Sequence, residues 1–261
     1  MTITHASLET DLRLAAVLDQ EIALKLADRS SIRNSNAVRS YGLINGRGSD
    51  TLTIRIAGLD GSDKFSVTAA VDRLATSMVG EAEQLFMSLV GDSIAAFGTD
   101  KGGKTTALSV DNWFDAISTL QSAGNTGATY ALINPFQLGQ LQSSIRAEAG
   151  AIQFVPATQE MLAIKGAGYA GMFAGVDVYT SNQLEAAGGG YDGGMWAEGC
   201  LGYAEAAPMI SQGATMRPAA SPVVVEFQRD ASKALTEVVG HYYVGCSIIQ
   251  DGMGVGLLST T

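Results

Sequence analysis

The sequence predicts an α+β fold in which one long helix is entered from an extended β-hairpin, an α/β domain is inserted, and the chain returns as strands. Three stretches carry that expectation. Leu52, Ile54 and Ile56 alternate with Thr51, Thr53 and Arg55, and Phe65, Val67 and Ala69 alternate with Ser66 and Thr68. Strict period two gives each arm one apolar face. Directly behind them Leu74, Met78, Ala82, Leu85, Leu89 and Phe97 recur at three- and four-residue steps, with one gap near Gly91. That is the stripe of an amphipathic helix, which at 1.5 Å per residue reaches about 40 Å. Near the far end, Val223-Val224-Val225-Glu226-Phe227 and Tyr242 to Ile249 are β-branched and aromatic, the composition of strands.

The elements follow in chain order. Ser7 to Asp28 reads as a helix, with Leu8, Leu12, Ala15, Leu18, Ile22 and Leu26 on one stripe and Glu9 and Asp11 at its positive end. Arg29 to Gly48 loses all periodicity and reads as an extended arm. In the hairpin, Asp60-Gly61 centres the turn between Gly58 and Asp63, because glycine accepts positive φ without strain. An isolated two-stranded hairpin is marginal in water, so its apolar face must lie on its own domain or on a neighbouring subunit. Beyond the long helix, Gly98 to Ser109 reads as a polar loop, and Asp111 is expected to cap a helix carrying Trp113, Ile117 and Leu120.

Thr129 to Ile133 reads as a short strand, and Asn134-Pro135 as the start of a helix with Leu138, Leu141 and Ile145, since proline suits the first helical turn. Val176, Val178 and Tyr179 suggest a strand, Gly188 to Gly194 a flexible loop, and Trp196 to Tyr203 another strand. Ala231 to Val239 is ambiguous. The expected organisation is a helix and arm over 1–48, a hairpin loop over 49–70, one domain of 71–110 with 219–261, and an inserted α/β domain over 111–218.

Bulk properties limit the function classes. The 261 residues are 46% apolar and only 16% charged, against about 25% charged in a typical domain. Such a surface suits a protein that buries much of its outside against copies of itself, although a core-rich enzyme has a similar composition. The net charge of −10 argues against a basic face built to grip nucleic acid, but not against a container for it. Cys200 and Cys246 lack metal-type spacing and read as reduced structural thiols, as in a cytosol. Met1 to Leu8 lacks the basic-then-apolar pattern of a signal peptide, and no run of 18 apolar residues offers a membrane span.

The order of elements resembles the major capsid proteins of tailed double-stranded DNA bacteriophages, the Hong Kong 97 fold. Four local stretches carry the resemblance: Tyr130-Ala131-Leu132-Ile133-Asn134-Pro135 with Leu138 and Leu141; Gly171 to Leu184; Leu201-Gly202-Tyr203-Ala204-Glu205-Ala206; and Val225 to Ile249. It implies a structural, non-catalytic protein that self-assembles into pentamers and hexamers of an icosahedral shell. The shell would enclose double-stranded DNA without sequence-specific binding. Scaffolding, portal and decoration proteins are the candidate partners, and no membrane is involved. The implied location is the virion capsid, after assembly in the host bacterial cytoplasm. In the family's terms 49–70 is an extended loop laid on a neighbour, with Leu52, Ile54, Ile56, Phe65 and Val67 as its intersubunit contacts. Residues 71–110 and 219–261 form the peripheral domain with its long spine helix, and 111–218 the axial domain. An encapsulin, a cellular compartment of the same fold, shares these features. No cofactor, metal or catalytic residue is implied, and no cross-linking motif carries over.

One motif competes. Gly98-Thr99-Asp100-Lys101-Gly102-Gly103-Lys104-Thr105 matches the phosphate-cradling loop of many NTPases, which would make Lys104 and Thr105 nucleotide contacts in an enzyme. That loop needs a strand before it and a helix directly after it, and the expected context offers neither. His5 and His241 stand at opposite ends of the sequence and match no nucleophile signature with either cysteine. Gly188-Gly189-Gly190 and the alternating Gly252, Gly254 and Gly256 lack a dinucleotide fingerprint's context. Glu81, Glu83, Glu226 and Asp230 read as solvated or salt-bridging carboxylates.

Overall fold

The computed structural model describes residues 37–43, 54–55, 67–148, 153–166, 168–184, 189–206, 223–230 and 235–261. The helix expected over Ser7 to Asp28 and most of the hairpin lie outside the described residues. In chain order the elements are β1 (Arg39–Leu43), β2 (Ile54–Arg55), α1 (Val67–Ala95), β3 (Asp100–Gly102), α2 (Val110–Ser122), β4 (Thr129–Ile133), α3 (Pro135–Ala147) and β5 (Val155–Pro156). There follow α4 (Gln159–Lys165), β6 (Tyr169–Phe173), β7 (Val176–Thr180), β8 (Gly190–Ala197), β9 (Leu201–Ala206), β10 (Val223–Asp230), β11 (Leu235–Ile248) and β12 (Gly254–Thr260). The mixture is α+β, and the described residues fall into two compact units, one holding 41–85 and 204–245, the other 37–40, 86–203 and 246–261.

The long helix is present. α1 runs 29 residues, about 43 Å at the standard rise. Its buried stripe is Ala75, Met78, Val79, Ala82, Phe86, Val90 and Ile94, closed by Phe97. Leu85 and Leu89, expected on that stripe, are only half-buried; the apolar arc is wider than one row, and Phe86 and Val90 take its centre. Val67 and Ala69, expected in the hairpin's second arm, lie in the first turn of α1. The alternation there is short, and Ala69-Ala70 favours helix over strand.

In the unit holding 86–203, seven strands form one sheet in the order β3-β12-β8-β4-β7-β6-β5. β4 and β7 are parallel, as are β12 and β3, while β8 runs antiparallel to both β4 and β12. The parallel β4–β7 pair needs a crossover, and α3 supplies it. One face buries Trp113, Leu120, Leu141, Ile133, Val178, Met195 and Leu257 beneath α2 and α3. On the other face Ile94 and Phe97 of α1 lie over Gly194 and Gly254. The result is three layers around one sheet.

Local signals explain the elements. Ser109, not Asp111, caps α2: its Oγ accepts the Asn112 N–H at 3.2 Å, and Asp111 lies in the first turn, where its charge suits the helix dipole. α3 starts as expected, with Asn134 at the cap, Pro135 at the first position and a complete capping box to Gln137. Between β6 and β7 the chain turns on Ala174 (φ 52°) and Gly175 (φ 81°), a two-residue turn with both φ positive.

Gly190 to Gly194, expected in a flexible loop, are strand residues of β8. A Cβ on Gly194 would stand 2.5 Å from Ile94 Cγ2, and one on Gly193 2.6 Å from Gln137 Oε1. These glycines therefore mark close approach of neighbouring elements, not backbone freedom. The C-terminal return is also fuller than expected. β12 pairs with β3 on one side and with β8 on the other, so 254–260 shares a sheet with the segment expected as a separate inserted domain.

A second, five-stranded sheet has the order β1-β9-β11-β10, with β2 also paired to β11. β10 and β11 form an unbroken antiparallel ladder from Val223↔Tyr242 to Asp230↔Leu235. Of the ambiguous stretch 231–239, the part from Leu235 onward is strand.

Candidate functional site

Of the five expected intersubunit contact residues, Leu52, Ile56 and Phe65 lie outside the described residues. Ile54 sits in β2 opposite Gly240, beside the Arg55–Val239 pair, so this part of the expected hairpin is paired with β11 of its own chain. Val67 opens α1.

The phosphate-loop reading fails on geometry. Gly98 follows the end of α1, where Phe97 N donates to Ile94 O at 3.1 Å. The strand lies inside the motif, at Asp100–Gly102, and the next helix starts only at Val110. A phosphate cradle needs the helix N-terminus at Lys104-Thr105. Lys104 is instead committed to Asp192 Oδ2 at 3.3 Å, which ties the connector to β8. A Cβ on Gly190 would meet Lys104 Cβ at 2.9 Å, so the lysine stem lies directly on the strand.

No thiol is activated. Cys200 is fully buried, and burial, reinforced by Asp251, pushes its thiol up to about 12. Burial also raises Cys246, against the opposing pull of hydrogen bonds from Ser93 and Ser247. A nucleophilic cysteine needs the reverse shift. His241 lies within β11 opposite Val224, and His5 is outside the described residues. Among the described residues no group of His, Cys, Asp and Glu could hold a metal ion, and no helix is long and apolar enough to cross a membrane. Glu81 is exposed and Glu83 is half-buried, while Glu226 and Asp230 stand in the β10–β11 ladder opposite Val239 and Leu235.

The most developed polar arrangement is structural. Gln137 is fully buried. Its Nε2 donates to Leu257 O at 2.9 Å and to Tyr191 O at 3.2 Å, while its Oε1 accepts Asn134 N–H at 3.0 Å. Asn134 Nδ2 reaches Leu184 O at 3.2 Å. One and two turns on, Gln140 bridges Leu108 N and Thr260 O, both at 2.9 Å, and Ser144 Oγ accepts Val110 N–H at 3.2 Å. One polar row of α3 thus ties together β8, β12 and the connector into α2. Sequence reasoning read only the apolar side of this helix; the row of Gln137, Gln140 and Ser144 at helical spacing was the available signal.

Among the described residues the polar side chains named here position backbone and join neighbouring elements. Neither protein-family models nor curated proteins match the sequence. Solved structures do. The chain is similar to the capsid of Ralstonia phage GP4 at TM-score 0.51 and 10% identity, over 81% of this chain and 73% of that one. It is similar to the holo-SrpI encapsulin complex from Synechococcus elongatus PCC 7942 at TM-score 0.56 and 12% identity, over 79% and 73%. Mycobacterium phage Che8 gives TM-score 0.52 and 14% identity, over 80% and 69%. At these identities the likeness is one of fold. The chain has the α+β fold of phage-capsid and encapsulin shell proteins, as the sequence resemblance implied.

Proposed function

We propose that this chain is the major coat subunit of a tailed-phage or prophage particle, a structural protein that assembles into pentamers and hexamers and closes an icosahedral shell around double-stranded DNA. The observation that carries the reading is the fold shared, over about four-fifths of the chain, with a phage capsid and an encapsulin shell. The low charge content and the absence of an activated thiol among the described residues agree with it.

In this reading 49–70 is an extended loop laid on a neighbouring subunit, with Leu52, Ile54, Ile56 and Phe65 as its contact face and Val67 joining from the first turn of α1. Residues 71–110 with 219–261 form the peripheral part and 111–218 the axial part. Many modest contacts, closed by symmetry, hold a shell together even where each is weak. The acidic balance suits a wall that encloses DNA without gripping its bases.

The match to an encapsulin complex supports a second reading, a cellular compartment with protein cargo. Nuclease treatment of particles purified from the producing cells separates the two. Protected double-stranded DNA is expected for the coat protein. Particles that hold protein and no DNA would make it a compartment shell, and the absence of any particle would count against both.

A further inference from the structure

We infer that the edge formed by β5, β6 and α4 is a contact surface for a second copy of this chain. α4 reads Gln159-Glu160-Met161-Leu162-Ala163-Ile164-Lys165, and none of its residues is buried. Ile164 is 81% exposed and Leu162 36%. Beside it stand Val155 (43%) and Met172 (37%), which face each other across the β5–β6 pair. Only Met161 and Lys165 of this helix are even half-buried, and an apolar face left exposed in this way is a surface for a partner.

The helix is nonetheless fixed in place. Thr158 caps it by accepting the Met161 N–H at 3.3 Å. Lys165 Nζ lies 4.7 Å from the centre of the Tyr169 ring and pairs with Asp177 Oδ1. Tyr169 donates to the same oxygen at 3.0 Å.

Charge favours a second copy over a polyanion. Copies of a chain with net charge −10 repel one another. From Gly150 to Val176, however, Lys165 is the only basic residue and Glu160 the only acidic one. Asp177 already neutralises Lys165. Two acidic chains can therefore meet across this face with little charge to oppose them, whereas a polyanion would find no cation row there. Contact must come through side chains, because Pro156 has no N–H to offer an added strand at the β5 edge. The inference rests on the coat-protein reading for its purpose, but its test does not.

The test is sedimentation velocity over a concentration series on the full chain, the Ile164→Asp variant, and an Ile249→Asp control. Ile249 is also exposed (50%) but lies outside this edge. Expected is an unchanged melting midpoint for both variants, with self-association weakened at least roughly ten-fold in Ile164→Asp alone. Wild-type-like association of Ile164→Asp would overturn the inference. So would slow amide exchange of α4 in dispersed subunits, which would mean that the chain covers this face itself. Oligomers that depend on Ile164 but form neither rings of five or six subunits nor closed shells would sink only the coat-protein reading. Shells that form normally with Ile164→Asp would sink only this inference, and a wild-type chain that stays monomeric throughout would sink both.

Discussion

Gln137 Nε2 donates to Leu257 O across 2.9 Å, joining the first turn of α3 to a strand 120 residues further along the chain. The same side chain holds Tyr191 O and the Asn134 N–H. A fully buried amide with every partner supplied fixes the position of a helix more sharply than apolar contact does. Replacing Gln137 by Leu keeps its bulk but leaves two carbonyls and one N–H buried without this partner. The expected loss is about 2–4 kcal/mol of unfolding free energy, since each orphaned group costs about 1–3. Urea denaturation followed by circular dichroism checks it.

Two glycine-to-alanine substitutions should have opposite signs. On Gly254 a Cβ would stand 2.2 Å from Phe97 Cε1, so Gly254→Ala is expected to cost about 1–3 kcal/mol through overpacking. Gly139 lies within α3, and its added Cβ meets nothing within 4 Å. Gly139→Ala should stabilise by about 0.5–1 kcal/mol, because glycine is a poor helix former. Thermal melts of the two variants against the parent settle both signs.

The Cys200 thiol gives a pH dependence. Its folded-state value, about 12, lies above the ordinary 9.0. Below pH 9 the thiol is protonated in both states and its contribution is fully present. As pH rises from 9 towards 12 the unfolded chain releases its proton first, so stability falls, at up to about 1.4 kcal/mol per pH unit from this group. Melting midpoints measured across that window should fall more steeply for the parent than for Cys200→Ala. Labelling of the folded protein by a thiol reagent at pH 8 should be slow at the same residue.

The hairpin gives the fourth expectation. Deleting residues 51–66 should leave a chain that still melts cooperatively but no longer closes shells. Circular dichroism and light scattering on the deletion give the two readouts, and normal shells would remove the hairpin from the assembly mechanism.

What the sequence revealed was local. Asn134-Pro135 announced the start of α3, and the three- and four-residue spacing from Met78 to Phe97 announced α1, because capping and amphipathicity act within a few residues. The start of α1 was misplaced because Val67 to Ala70 is too short to separate two periods. Gly193 and Gly194 looked like loop residues, since a sequence shows that a side chain is missing but not that Ile94 and Gln137 fill the space. The seating of β12 between β3 and β8, and the reach of Gln137 to Leu257, depend on pairings far apart in the chain. Periodicity does not report these.

The most direct measurement is negative-stain electron microscopy of the purified, recombinantly expressed protein after size exclusion. Closed shells, or discrete rings of five and six subunits, are the expected result. A monomer or dimer that persists as concentration is raised, and in the presence of a crowding agent, would contradict the coat-protein function.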